Sequence, residues 1–211
     1  MTAVRPLPVA TLHGQHVRLE PLTLEHVPGL VAAATGGPRD SYAYTWVPAD
    51  TEDATRYVEA ALAEQAAGRA LPFATIYVQA AMVVGSTRFG TAEHWAWPTG
   101  SPYRRPEGLP DVVEIGWTWL AAHAQRTPIN TEAKLLMLGH AFETWRVHRV
   151  TLKTDVRNVG SQRAIERLGA RKDGVLRAHM PAYDGAIRDT VFYSILAPEW
   201  PEIKARLSAL L

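Results

Sequence analysis

The sequence predicts a mixed α/β (α+β) domain: one mostly antiparallel sheet, a central parallel pair of strands, and helices on both faces. Three observations carry this. Apolar periodicity switches between two and 3.6 residues in the order β–α–α–β–β–β–α–β–α–β–β–α. Two of the strands follow each other closely enough to form a hairpin. The strand–helix–strand run over residues 112–156 needs a crossover, which sets its two strands side by side in parallel.

Each element follows from its residues. HVRLEPL, 16–22, alternates Val17 and Leu19 with polar neighbours, as a half-buried strand does. Thr23 then caps a helix over LEHVPGLVAAA, which the Gly36-Gly37-Pro38 break ends. TEDATRYVEAALAEQAAGR, 51–69, is the clearest helix: Asp50 or Thr51 caps it, acids fill its first turn, and it closes near Gly68. LPFATIYV and MVVGSTRF, on either side of QAA, read as a hairpin. Residues 91–110 hold four prolines with Trp95 and Trp97, and a segment of this length reads as an insertion or flap. With Trp46 it is a candidate wall for a pocket, alongside plain packing or a subunit contact.

VVEIGWTWLAA, 112–122, is a strand, and TEAKLLMLGHAFETW, 131–145, an amphipathic helix with Ala133, Leu136, Leu138 and Phe142 among its apolar positions. HRVTLKTDV, 148–156, sets Val150, Leu152 and Thr154 on one face. NVGSQRAIERLGA, 158–170, is a short helix closed by Gly169. VLRAHM and IRDTVFYSIL are strands turned at Tyr183-Asp184-Gly185, and PEWPEIKARLSALL is a helix opened by proline.

Composition narrows function. The 22 basic and 21 acidic residues nearly cancel, which argues against nucleic acid as a partner. Cysteine is absent, which removes disulfides, thiolate metal sites and a cysteine nucleophile and suits a cytoplasmic protein. The start, MTAVRPLPVATLHGQ, lacks the apolar core of a signal peptide, and no apolar run is long enough to predict a membrane span. The eight histidines show no metal-ligand spacing, and no Walker loop occurs. Apolar edge strands are compatible with a homodimer.

Three segments carry a family resemblance. EIGWTWL, 114–120, is close to E-I-G-Y-W-L with one residue added, which a β-bulge would absorb. QRTPINTEA, 125–133, is close to a Q/R-x-x-G-x-G/A loop followed by T-E-A, with Pro128 and Asn130 in the two small positions. Asn158 to Ala170 follows N-x-x-S, a helix, then L-G-A. In this order the chain resembles the GNAT superfamily of acetyl-CoA-dependent N-acetyltransferases, in the branch of the Rim-type ribosomal-protein enzymes, over about residues 14–200. The resemblance implies one acyltransferase domain over 1–211, a parallel pair splayed around acetyl-CoA as cosubstrate, no metal, and a primary amine as acceptor.

Site expectations follow. The loop before the second long helix reads either as a pyrophosphate site or as an ordinary helix start capped by Thr127 or Asn130. Amides of Arg126, Thr127, Ile129, Asn130 and Thr131 remain to meet an anion at a helix N-terminus, Pro128 removes only one, and the Arg126 guanidinium adds charge. The resemblance adds Leu120, Asn158 and Arg163 to the CoA contacts; Asn158 equally suits a helix cap. Glu114 is the candidate base, weighed against a structural ion pair with an arginine. The resemblance casts Ser161 as the group that assists the departing thiolate, with Tyr193 as rival. Asp189, Arg177 and His179 are weaker candidates on the acceptor side, and Asp189 is expected to be in a salt bridge. A module that binds acyl-CoA without turnover is the alternative.

Overall fold

A computed structural model describes residues 7–106 and 108–211. The first six residues of the stretch read for a leader, and Glu107 of the insertion, lie outside it. β1 (Leu12–His13) has only two residues, too few for periodicity to announce, and pairs antiparallel with β2 (Val17–Pro21). A 3₁₀ turn leads into α1 (Val27–Thr35), and α2 (Thr51–Ala66) starts where the Asp50 carboxylate accepts the Asp53 N–H at 2.9 Å.

β3 (Leu71–Tyr77) and β4 (Met82–Glu93) form the expected hairpin, but β4 runs on into the segment read as an insertion. β5 (Val112–Leu120), α3 (Pro128–Gly139) and β6 (Arg149–Asp155) build the crossover. α4 (Val159–Arg167), β7 (Arg171–Pro181), β8 (Ile187–Leu196) and α5 (Trp200–Ser208) complete the chain.

Two boundaries differ from expectation. α3 begins three residues before Thr131, because Thr127 caps it and proline suits a first helical position. It also stops at Gly139 and passes into a π-helical turn over His140–Thr144. The wider turn accompanies packing on two sides: Phe142 stacks on Trp200 at 5.6 Å and Trp145 lies 4.6 Å from Phe89.

The strands form one sheet in the order β1-β2-β3-β4-β5-β6-β8-β7, with β5–β6 the parallel pair among the described strands. Alternation along β4 shows both faces covered. The Tyr57 hydroxyl of α2 donates to Ser86 Oγ at 3.0 Å and the Arg88 guanidinium lies 5.1 Å from the Tyr57 ring. Between them, Thr87 faces Lys134 of α3 at 2.9 Å, and Phe89 meets His140 and Trp145. Phe73 and Phe89 are fully buried and meet edge to face at 6.0 Å, each contributing about 2–3 kcal/mol by burial.

The segment after β4 is tied down. Asp111 accepts from the Trp95 N–H and the Trp97 indole, both at 2.7 Å, and His148 stacks on Trp95 at 5.7 Å. This knot sits where β5 and β6 begin.

Candidate active site

The site is set by where two strands part. β5 and β6 pair at Val112↔Arg149, Val113↔Val150 and Glu114↔Thr151; beyond that, β5 stays with β4 as far as Leu120 and β6 with β8 as far as Asp155. The result is a fork whose apex is Glu114. The Trp95–Trp97 knot lies at the closed end of the fork, so it does not wall the site as the sequence reading allowed. Trp46 stacks on Tyr57 of α2 at 5.4 Å.

The added residue in EIGWTWL makes the expected bulge. Arg88 pairs with Gly116 and Ser86 with Trp119, so the two residues Trp117 and Thr118 oppose Thr87 alone. Trp117 takes a left-handed φ of 50°. Its ring lies over Gly90, where a Cβ would collide with it. The bulge thus turns a tryptophan onto the α2 side of the sheet, beside the fork.

Glu114 is 4 % exposed. Its carboxylate is 2.9 Å from Lys153 Nζ and accepts from Thr91 Oγ1 at 3.1 Å. The ion pair weighed in the sequence exists, but with a lysine across the fork rather than an arginine. Lys153 also lies over the rings of Trp117 and Phe192 at 5.9 Å each.

At the mouth of the fork α3 presents its N-terminus. Arg126 has φ 60°, which turns the chain, and Thr127 Oγ1 accepts the Ile129 N–H at 3.3 Å while donating to the Ala124 carbonyl at 2.7 Å. Pro128 holds the first helical position, where its missing N–H would have had no intrahelical partner. Ile129 and Thr131 are buried, Arg126 is exposed, and Asn130 Oδ1 is buried without a hydrogen-bond partner. The Leu120 carbonyl accepts from Gln125 Nε2 at 3.0 Å. Arg167 Nη2 reaches Thr131 Oγ1 at 3.5 Å. Arg167 lies one turn beyond exposed Arg163 on the same face of α4, a spacing that could have suggested it from sequence.

α4 starts just past the end of β6. The Asn158 side chain caps it, accepting the Ser161 N–H at 3.0 Å, so the capping role is filled. Ser161 is half-buried in the first turn. Tyr193 is fully buried and its hydroxyl donates to Glu166 at 3.1 Å, with Gln162 at 3.3 Å. Burial, then the Glu166 contact, pushes its pKa up to about 12, so the hydroxyl keeps its proton and directs it into α4. Among the described residues Asp189 makes no salt bridge, contrary to expectation: it accepts the Ala178 N–H at 2.7 Å, where β7 bulges at a φ of 48°. His179 meets Thr190 Oγ1 at 3.0 Å.

A cleft of about 270 Å³ opens between the α1–α2 connection and the β7–β8 turn, lined by Arg39, Tyr42, Trp46, Asp53, Tyr183 and Asp184. Arg157 ties Asp184 of this lining to the end of β6, bonding Asp155 at 2.8 Å and Asp184 at 2.7 Å. The Arg157 guanidinium holds both carboxyls below the usual carboxylate range. A wider depression, about 530 Å³, lies at the far edge of the sheet near Glu20, which bonds both Arg18 and His26. No group of side chains suited to hold a metal occurs among the described residues, and no described helix is long and apolar enough to cross a membrane.

A parallel fork with a helix N-terminus at its mouth leaves room between its strands for an anionic ligand. Similar proteins are known. Residues 16–171 match the family described as "Acetyltransferase (GNAT) domain". The chain is 34% identical over 101 residues, 48% of its length and 55% of the relative's, to "Probable N-acetyltransferase YjcK" of Bacillus subtilis (strain 168). It is 33% identical over 88 residues, 42% of its length and 47% of the relative's, to "Putative ribosomal N-acetyltransferase YdaF" of the same organism. The matched stretch spans about half the length of these curated relatives. The crystal structure of a GCN5-related N-acetyltransferase from Brucella melitensis superposes with a TM-score of 0.80 at 27% identity, covering 97% of this chain and 86% of that one.

Proposed function

The chain belongs to the GNAT acetyltransferase family, and from that premise we propose that it moves an acetyl group from acetyl-CoA directly to a primary amine of a protein N-terminus or small molecule. The observation that carries this is the fork with Glu114 at its apex and the α3 N-terminus at its mouth. Acetyl-CoA supplies the activated thioester. Arg126, Arg163 and Arg167, with the first amides of α3, suit its phosphates, and buried Asn130 Oδ1 offers an acceptor for a ligand N–H. Leu120, Thr127, Ile129, Thr131 and Asn158 complete that wall.

Glu114 takes a proton from the acceptor ammonium, directly or through water, freeing the lone pair that attacks the thioester carbon. A backbone N–H at the β5 bulge donates to the oxyanion of the tetrahedral intermediate. As the carbon–sulfur bond breaks, the Ser161 hydroxyl donates a hydrogen bond to the departing thiolate, which takes up the second proton shed by the new amide nitrogen, directly or through water. Tyr193 is the poorer partner, because its proton is already given to Glu166.

The engagement of Glu114 by Lys153 and Thr91 favours a second reading, a module that binds acyl-CoA without turnover. Calorimetric titration with acetyl-CoA, on wild type and Pro128→Gly, tests the cofactor site. Micromolar binding by the wild type is expected; binding by the glycine variant alone would sink the reading. Glu114→Gln should then bind acetyl-CoA normally but lose at least about 100-fold in amine acetylation. Equal rates would remove Glu114 as the base.

A further inference from the structure

Across the α2 face of the sheet runs a ladder of alternating rings and cations. Trp46 stacks on Tyr57 at 5.4 Å; Arg88 lies 5.1 Å from Tyr57 and 5.0 Å from Trp117; Lys153 lies 5.9 Å from Trp117 and from Phe192. Lys153 has its carboxylate, Glu114. Arg88 has none in contact: among the described residues its side chain makes no ion pair or hydrogen bond, and Glu64 feels its charge only at a distance, although Arg88 is only 6 % exposed and its Nε is buried without a partner. A guanidinium held so deep, between two rings and without an anion in direct contact, is expensive unless something arrives to pair with it.

We propose that Arg88 receives a carboxylate carried by the acceptor amine. The inference rests on the reading that acetyl transfer takes place at Glu114. Arg88 pairs with Gly116 and Gly90 with Glu114, so Arg88 and Glu114 are diagonal neighbours on one face, about 7–8 Å apart at the backbone. Two side chains on one face at that backbone separation can engage one small acceptor together, the Glu114 carboxylate its amine and the Arg88 guanidinium its carboxylate, as in an N-terminal residue with an acidic side chain. The planar fork of arginine matches a carboxylate in two parallel bonds, and the flanking rings fix the plane. Two cations facing one carboxylate also disfavour polyamines and other polycations as acceptors.

The test compares Asp-Ala-amide with Asn-Ala-amide, which differ in one charge, and with spermidine. In the wild type kcat/KM should favour the acidic peptide by at least about tenfold, with spermidine poorest. Arg88→Met should bring the ratio of the two peptides toward one. Arg88→Lys, which keeps the charge without the fork, should retain part of the preference and covers a methionine variant that fails to fold. A wild-type ratio of one or less, or an undiminished ratio in both variants, overturns the proposal. Calorimetric binding of the same peptides in the presence of CoA reads the preference without turnover. An Arg88-dependent preference in binding with no acetylation counts against acetyl transfer alone; acetylation with no preference counts against the carboxylate pocket alone.

Discussion

Lys134 shows what one residue can impose. Its amine is buried beneath the sheet, donating to Thr87 Oγ1 at 2.9 Å and Thr118 Oγ1 at 2.6 Å, and desolvation lowers its pKa from 10.5 to about 7. Between those two values the unfolded chain holds a proton that the folded chain does not. Stability therefore rises with pH from about 7 to about 10.5, by a few kcal/mol in all. Lys134→Met should flatten that rise and raise stability near neutral pH, measured by urea denaturation across the range. A slope that survives the substitution would assign it elsewhere. Nothing in TEAKLLMLG marks this lysine as buried, since an amphipathic helix normally turns such a residue to water. Arg88 was equally hidden, because its burial depends on the Trp117 bulge on one side and α2 on the other. Glu114 was legible, because a carboxylate amid Val112, Val113 and Ile115 stands out.

At the scale of elements, α3 is held near its start by Glu132. This carboxylate accepts the N–H groups of Gln15, His16 and Val17 at 2.7–2.8 Å, locking α3 to the β1–β2 turn. The side chain fills the space beside Gly14 so fully that any Cβ there would overlap it. Glu132→Ala strands these donors and should cost about 3–5 kcal/mol, with Glu132→Gln milder. Amide hydrogen exchange at residues 15–17 should lose protection in step; unchanged exchange would disprove the link. The helices, hairpins and crossover were readable because each carries its own period and punctuation. β1, the π-helical turn and the Asp111 knot were not. Their causes are contacts between residues far apart, such as Trp97 with His148 at 5.4 Å.

For the whole molecule, the fork leaves two strand edges apart and a helix end open between them, so a bound thioester should tighten everything around it. Acetyl-CoA at 100 times its dissociation constant should add about 2.7 kcal/mol and raise Tm by roughly 5–10 °C. Thermal unfolding with and without acetyl-CoA checks this, and a flat Tm would contradict the proposed site. The sheet order follows the chain closely from β1 to β6, so most pairing can proceed as the polypeptide is made. Glu132 is the exception. It lies 115 residues beyond Val17, a gap that translation crosses in roughly 6–23 s. Throughout that interval water alone satisfies the three amides of the emerging β1–β2 turn, so this turn cannot lock onto α3 until Glu132 has emerged.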